Sequence, residues 1–318
     1  MPRYFSFRFD VDTHRCLALG VPELLKLGAR LDVRFTFFVN MGRAVSRPQF
    51  VGKLLRARGG GRNGRRVYRL SSMQKLGLRD YLTAAVLNPK VGSSYGCVLR
   101  ETEARGHEIG LHGGRNHAGW QSSGRFWSRS KLESEVAWGL AALDAACLSR
   151  PVGFASPGWQ GSIELVSVLE EYGFHYVADA HGVGLERVGP WGRNRSLIEV
   201  STGILGEPGG VGYLEYMRAR GHSDGEVLAD FAARLDATRD FAVVYDHPFY
   251  AGLRELATIE AMVGAARERG FEVVPLRELA AVWPEHLHED DLLVPRLGSG
   301  TLHREPTGAA GGTRGAGR

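Results

Sequence analysis

Cysteine is scarce: Cys16, Cys97 and Cys147 are the only three in 318 residues, and no two stand as C-x-x-C. That spacing argues against a disulfide framework or a cysteine zinc knuckle and points to a reducing compartment. Long hydrophobic runs are missing too. No stretch approaches the roughly 18 apolar residues needed to span a bilayer. With Met-Pro-Arg running into strand-like residues at Tyr4, no secretory leader is expected. A cytoplasmic protein is expected, one that touches a membrane only from the cytosolic side. Acidic residues are absent from Met41 to Arg79, where Arg43, Arg47, Lys53, Arg56, Arg58, Arg62, Arg65, Arg66 and Arg69 gather. A formal charge of +5 favours an anionic partner.

The chain is nonetheless well supplied for folding, because 43% hydrophobic and 24% charged residues are ordinary for a soluble domain. One large domain over residues 1–297 is expected, with 41–106 as a basic, amphipathic helical insertion. The last residues, 298–318, are rich in Gly, Thr and Ala with almost nothing to bury, and are expected to be disordered.

Phe5, Phe7, Phe9 and Val11 alternate with Ser6, Arg8, Asp10 and Asp12, the period of a strand, so both aspartates share one face. Further strands are expected at 34–39, 107–111, 152–155, 176–178, 196–200, 241–245 and 272–274. Helical stretches at 21–31, 130–147, 162–172, 224–238 and 254–269 separate most of them. Ser130 and Glu133 have capping-box spacing at the start of the second helix. Repeated strand-then-helix order predicts a parallel sheet, and seven or eight units predict closure into an α/β barrel.

In such barrels the reacting side chains sit where strands end and loops begin. Asp10, Asp12, His112, Trp159, Asp179 and the Asp246-His247 pair all fall at such places. Two carboxylates and several imidazoles on one rim are the materials of a metal site with an open position, which acidifies a water for hydrolysis. Trp159 and Tyr250 suit stacking against a sugar. Asp179 suits orienting Asp10 or His247, or capping its own loop.

In this order, FRFDVDT, TFFVNMGR, HEIGLHGGRNHAGWQ, FASPGWQG and VVYDHPFYAG resemble the NodB-type polysaccharide deacetylase superfamily. Within it they look closest to the deformylase branch that acts on 4-deoxy-4-formamido-L-arabinose carried on undecaprenyl phosphate. The resemblance implies a distorted (β/α)7-8 barrel. It also implies one divalent metal ion, Zn2+ or similar, held by an aspartate and two histidines, and cleavage of an N-acyl group from an amino sugar. Carried over, Asp10 is the general base, Asp12 and His112 are metal ligands, and His247 is the acid. The third ligand is expected at His117, five residues after His112, whereas most of the superfamily places a histidine at the offset occupied here by Asn116. The superfamily's arginine in the third motif is also missing, with Ala155 and Ser156 in its place.

Two functional readings follow. The first is a metal-dependent deacylase whose amino-sugar substrate rides on a polyprenyl phosphate, with the basic insertion meeting an anionic membrane surface. The alternative is a catalytically degenerate barrel that binds lipid-linked or polymeric glycans, motivated by Asn116. Nucleic acid is disfavoured as the anion, because no DNA or RNA module is present and the basic stretch lacks interleaved aromatics.

Overall fold

A computed structural model describes residues 2–46, 87–182, 185–187, 197–206 and 210–282. Most of the expected insertion, residues 47–86, and the whole expected tail lie outside the described residues.

The strands are β1 (Arg3–Val11), β2 (Thr36–Val39), β3 (Glu108–His112), β4 (Gly153–Ala155), β5 (Tyr176–Val177), β6 (Leu185–Arg187), β7 (Ile198–Val200), β8 (Phe241–Asp246) and β9 (Phe271–Val273). They form one sheet ordered β6-β7-β5-β4-β3-β2-β1-β8, with β9 beside the start of β1. Every ladder is parallel except β6 with β7. Among the described residues, the free edge of β8 is met by an isolated bridge at Ile204, in which Ile204 N donates to Val243 O (2.9 Å) and Tyr245 N donates to Ile204 O (3.0 Å). The architecture is the distorted α/β barrel that the strand-helix rhythm predicted.

Helices α1 (Val21–Leu31), α2 (Gly96–Ala104), α3 (His117–Ser123), α4 (Arg129–Ala145), α5 (Ile163–Glu171), α6 (Tyr213–Ala219), α7 (Asp224–Asp236), α8 (Pro248–Arg254), α9 (Leu256–Glu268) and α10 (Leu276–Val282) connect the strands. The alternation in β1 sorts its side chains into two layers. Phe5, Phe7 and Phe9 pack between sheet and helices, Phe5 meeting Phe231 of α7 with ring centroids 5.3 Å apart. Ser6, Arg8 and Asp10 turn into the barrel.

One helix start differs from expectation. No capping box forms at Ser130 and Glu133: the N-cap position of α4 is Ser128, whose side chain makes no capping bond, and Glu133 pairs with Arg129 instead. The box forms at Ser223 and Glu226, before α7. Matching spacing occurs at both places, and only the second coincides with the turn where the helix begins.

The barrel floor is closed by buried Glu108. Its Oε2 accepts from Thr36 Oγ1 (2.7 Å) and from the backbone N of Arg277 (2.9 Å), and its Oε1 accepts from Tyr176 OH (2.8 Å). Thr36 Oγ1 in turn accepts from Leu276 N, so the floor holds the first turn of α10.

Beside the floor, His107 Nδ1 accepts the backbone N–H of Phe35 (3.0 Å) and its ring stacks on Phe35. Burial, with help from Arg105, Arg34 and Arg277, pushes this imidazole down to about 4. The unfolded chain protonates His107 near pH 6.5, whereas the folded chain resists until about pH 4. Stability therefore falls as pH drops through that window, by about 3 kcal/mol. Urea titrations at pH 7 and 4.5 are expected to show this loss in the wild type and much less in His107→Gln, which keeps an acceptor and cannot be charged.

Candidate active site

The parallel sheet brings the carboxyl ends of β1, β3 and β8 together. Asp12, one residue past β1, faces three imidazoles: its Oδ1 lies 3.3 Å from His112 Nε2 and 3.0 Å from His117 Nε2, and its Oδ2 lies 3.4 Å from His247 Nε2. His112 Nε2 and His117 Nε2 are 3.3 Å apart. Two donors each about 2.1 Å from one ion stand about 3.0 Å apart at a right angle and about 3.4 Å apart at the tetrahedral angle. The triangle of Asp12, His112 and His117 thus has the size of one face of a divalent-metal coordination shell.

The donors are also in the right state. His112 Nδ1 lies 2.9 Å from Ala155 O, a pure acceptor, so Nδ1 carries the hydrogen and Nε2 offers its lone pair to the cluster. Asp12 Oδ1 is buried, and no donor is aligned on it. Burial pushes the Asp12 carboxyl up, but the charge of His117 and the approach of the three imidazoles outweigh it and hold it well below the usual range. Burial likewise pushes His112 down, while Asp10 and Asp12 together raise it. Such a cluster holds net negative potential and favours a cation, a proton or a metal. Asn116 is occupied elsewhere: it caps α3, with Oδ1 accepting from Gly119 N (2.7 Å), and its Nδ2 donates to Val45 O (3.1 Å).

His247 is held from both sides. Its Nδ1 lies 2.5 Å from Glu215 Oε1 and its Nε2 lies 3.0 Å from the hydroxyl of Tyr245. Glu215, in the first turn of α6, went unnoticed in the sequence, because nothing local links it to a histidine 32 residues away. Asp246 accepts from Leu214 N (2.7 Å) and His247 N (2.9 Å) and so ties α6 to β8. Burial and the charge of Glu215 push Asp246 up to about 8. Glu215, Asp246 and His247 also lie close enough to chelate an ion. Both Asp246 oxygens are already taken by backbone N–H groups, however, which leaves the Asp12 cluster as the better metal candidate.

Asp10 sits one step inside. Arg8, fully buried, grips it with two parallel bonds, Nε to Oδ1 at 2.9 Å and Nη2 to Oδ2 at 3.0 Å. Arg8 Nη1 donates to Ala178 O (2.6 Å) across the barrel. His112 Nε2 is 3.7 Å from Asp10 Oδ2. Trp159 is only 6% exposed, and Arg8 lies 4.0 Å from its ring centroid, so the indole caps the guanidinium inside the barrel. Asp179 accepts from Ser156 N (2.6 Å) and Ser156 Oγ (2.5 Å), which pins the turn that carries Trp159. Behind it, Glu199 accepts from the backbone of Asp179 and Ala180, and burial with the charge of Asp179 pushes Glu199 well above the usual range. Tyr250, on α8, is half-buried against Phe249 and near Arg254, and its side chain makes no hydrogen bond to this cluster among the described residues. The expected residues Asp10, Asp12, His112, His117 and His247 therefore converge, with Trp159 and Asp179 one layer behind and Tyr250 apart.

The polysaccharide deacetylase family profile matches residues 4–177, more than half of the chain. The chain belongs to the polysaccharide deacetylase family. Among curated relatives of this family member, the probable 4-deoxy-4-formamido-L-arabinose-phosphoundecaprenol deformylase ArnD of Shewanella sediminis (strain HAW-EB3) is 30% identical over 188 residues. That stretch covers 56% of each chain, so the match spans little more than half of the curated relative's length. The equally named protein of Wigglesworthia glossinidia brevipalpis is 26% identical over 179 residues, 52% of this chain and 57% of that one. The fold matches a solved Mycobacterium smegmatis structure named provisionally as a polysaccharide deacetylase, with a TM-score of 0.59 at 19% identity over 96% of both chains. No described helix is long and apolar enough to cross a membrane.

Proposed function

We propose that this family member is a metal-dependent hydrolase that removes an N-acyl group, formyl or acetyl, from an amino sugar carried on a polyprenyl phosphate. The supporting observation is the Asp12, His112 and His117 triangle, with Asp10 on one side of it and His247 on the other. In this reading those three residues hold one divalent cation, Zn2+ or similar. When bound, such an ion polarises the acyl oxygen and makes water acidic enough to react near neutral pH.

The chain's own residues supply the proton transfers. Asp10, both oxygens oriented by Arg8, accepts the proton of the attacking water. His247, its Nδ1 side fixed by Glu215, presents Nε2 toward the same space and delivers a proton to the departing amine. A base and an acid with separate partners can hold opposite protonation states at one pH. The formyl assignment and the polyprenyl carrier draw support from the names of the curated relatives. The strongly basic 41–79 stretch suits an anionic membrane surface beside such a substrate. What weighs against the glycan-binder alternative is His117, whose Nε2 lies 3.0 Å from Asp12 Oδ1 and supplies an imidazole where Asn116 does not.

The test is direct. Purified protein given a divalent metal is incubated separately with a formamido-sugar polyprenyl lipid and with an N-acetylated polymer, and formate and acetate are quantified. Release of formate from the lipid, stopped by a chelator and restored by metal, is expected. No release from either substrate would overturn the proposal.

A further inference from the structure

We infer that Trp159 is a positioning residue for the reaction: its indole clamps Arg8, and Arg8 in turn holds Asp10 in its working orientation. The inference rests on the reading of Asp10 as the base. Four observations carry it.

First, the backbone is forced to place this ring. Gly158 and Trp159 are both left-handed, with φ of 65° and 60°. Glycine adopts that conformation freely, whereas a bulky residue does so only where its surroundings compel it.

Second, the place reached is the open face of Arg8. The four donor contacts of Arg8, to Asp10, Ala178 and Thr202, radiate from its edge. The indole centroid lies 4.0 Å from Cζ, while Phe38 and Tyr245 stand farther off, at 5.1 and 5.3 Å. A buried guanidinium stripped of water gains most from such a ring.

Third, the turn is anchored rather than free. Ser156 is bonded through both N and Oγ to Asp179, Trp159 N donates to Ser156 O (3.0 Å), and the His181 ring meets the indole edge-on at 4.1 Å. Fourth, the indole is buried at 6% exposure, which leaves little of it for a sugar. The contacts thus run from Asp179 through Ser156, Trp159 and Arg8 to Asp10, linking the β4–α5 turn to β1.

Trp159→Leu and Trp159→Phe separate a clamp from mere filling, because both are apolar and only phenylalanine has a π face. With the metal-loaded enzyme, Trp159→Leu is expected to lower kcat by about 30-fold with KM changed less than about 3-fold, and Trp159→Phe to recover to within about 5-fold of wild type. In an Arg8→Gln background, which has no cation for the ring to cover, the leucine change is expected to add less than about 3-fold, since the interaction it removes is already gone. A turnover-independent arm follows hydrogen exchange of the Arg8 Nε–H by NMR: Trp159→Leu is expected to speed it about 10-fold and Trp159→Phe to leave it near wild type. Equal effects of leucine and phenylalanine, a rise in KM with kcat intact, or unchanged Arg8 exchange in Trp159→Leu would each overturn the inference. A wild type that releases no acyl group overturns the function proposed for the site, and the exchange arm still decides the clamp.

Discussion

Alanine at His112 or His117 is expected to abolish stoichiometric metal binding and to lower turnover by at least about 1000-fold. The reason lies in the size and electrostatics of the triangle. Removing either imidazole leaves two donors, too few for the three-donor face that the triangle offers, although Asp10 and Asp12 still supply the negative potential. Metal content by elemental analysis, read beside formate release, checks both halves of the expectation. Asn116→Ala supplies the contrast: it removes a cap worth about 1 kcal/mol of stability and is expected to leave metal content at one per chain. If Asn116→Ala loses the metal while His117→Ala keeps it, the ligand assignment is reversed.

The second large effect is expected on the acid side. His247→Asn should lower kcat by about 100- to 10,000-fold while metal content stays at one per chain, the range for a lost proton donor. Glu215→Gln should follow in the same direction but more weakly, about 10- to 100-fold, because Gln can still accept the Nδ1 hydrogen bond but supplies no negative charge to favour the imidazolium. Single-turnover measurements on the metal-loaded variants separate this effect from substrate binding. A metal loss in His247→Asn would instead place that imidazole among the ligands, which its 3.4 Å approach to Asp12 makes a meaningful outcome.

The parts of the site that could be read in advance are those written in local periodicity. Asp10 and Asp12 followed from the alternation in β1, and His112 and His247 from their places directly at strand ends. Their convergence then required only that the strands be parallel and adjacent in one barrel. Glu215 was not legible, because it lies on a short helix brought to His247 by the packing of α6 against β8. Trp159 was visible but ambiguous. An aromatic at the start of a loop can face solvent or core, and what decides here is the left-handed pair at Gly158 and Trp159, which composition does not reveal. Arg8 was visible as an inward cation beside two acids. Its bidentate grip on Asp10 depends on Ala178 and Thr202, just past the ends of β5 and β7 and 170 or more residues away in the chain. The mistaken cap at Ser130 has the same origin, since a four-residue pattern has no knowledge of where the chain turns.

The floor of the barrel sets how short a recombinant version of this protein can be. The family profile ends at residue 177, yet the carboxylate of Glu108 is satisfied in part by the backbone of Arg277, and β1 finds its longest partner in β8. A fragment cut at the profile's edge would bare one flank of β1 and strand a buried acid, besides discarding both Glu215 and His247. Expression designs should therefore carry the chain at least through Val282.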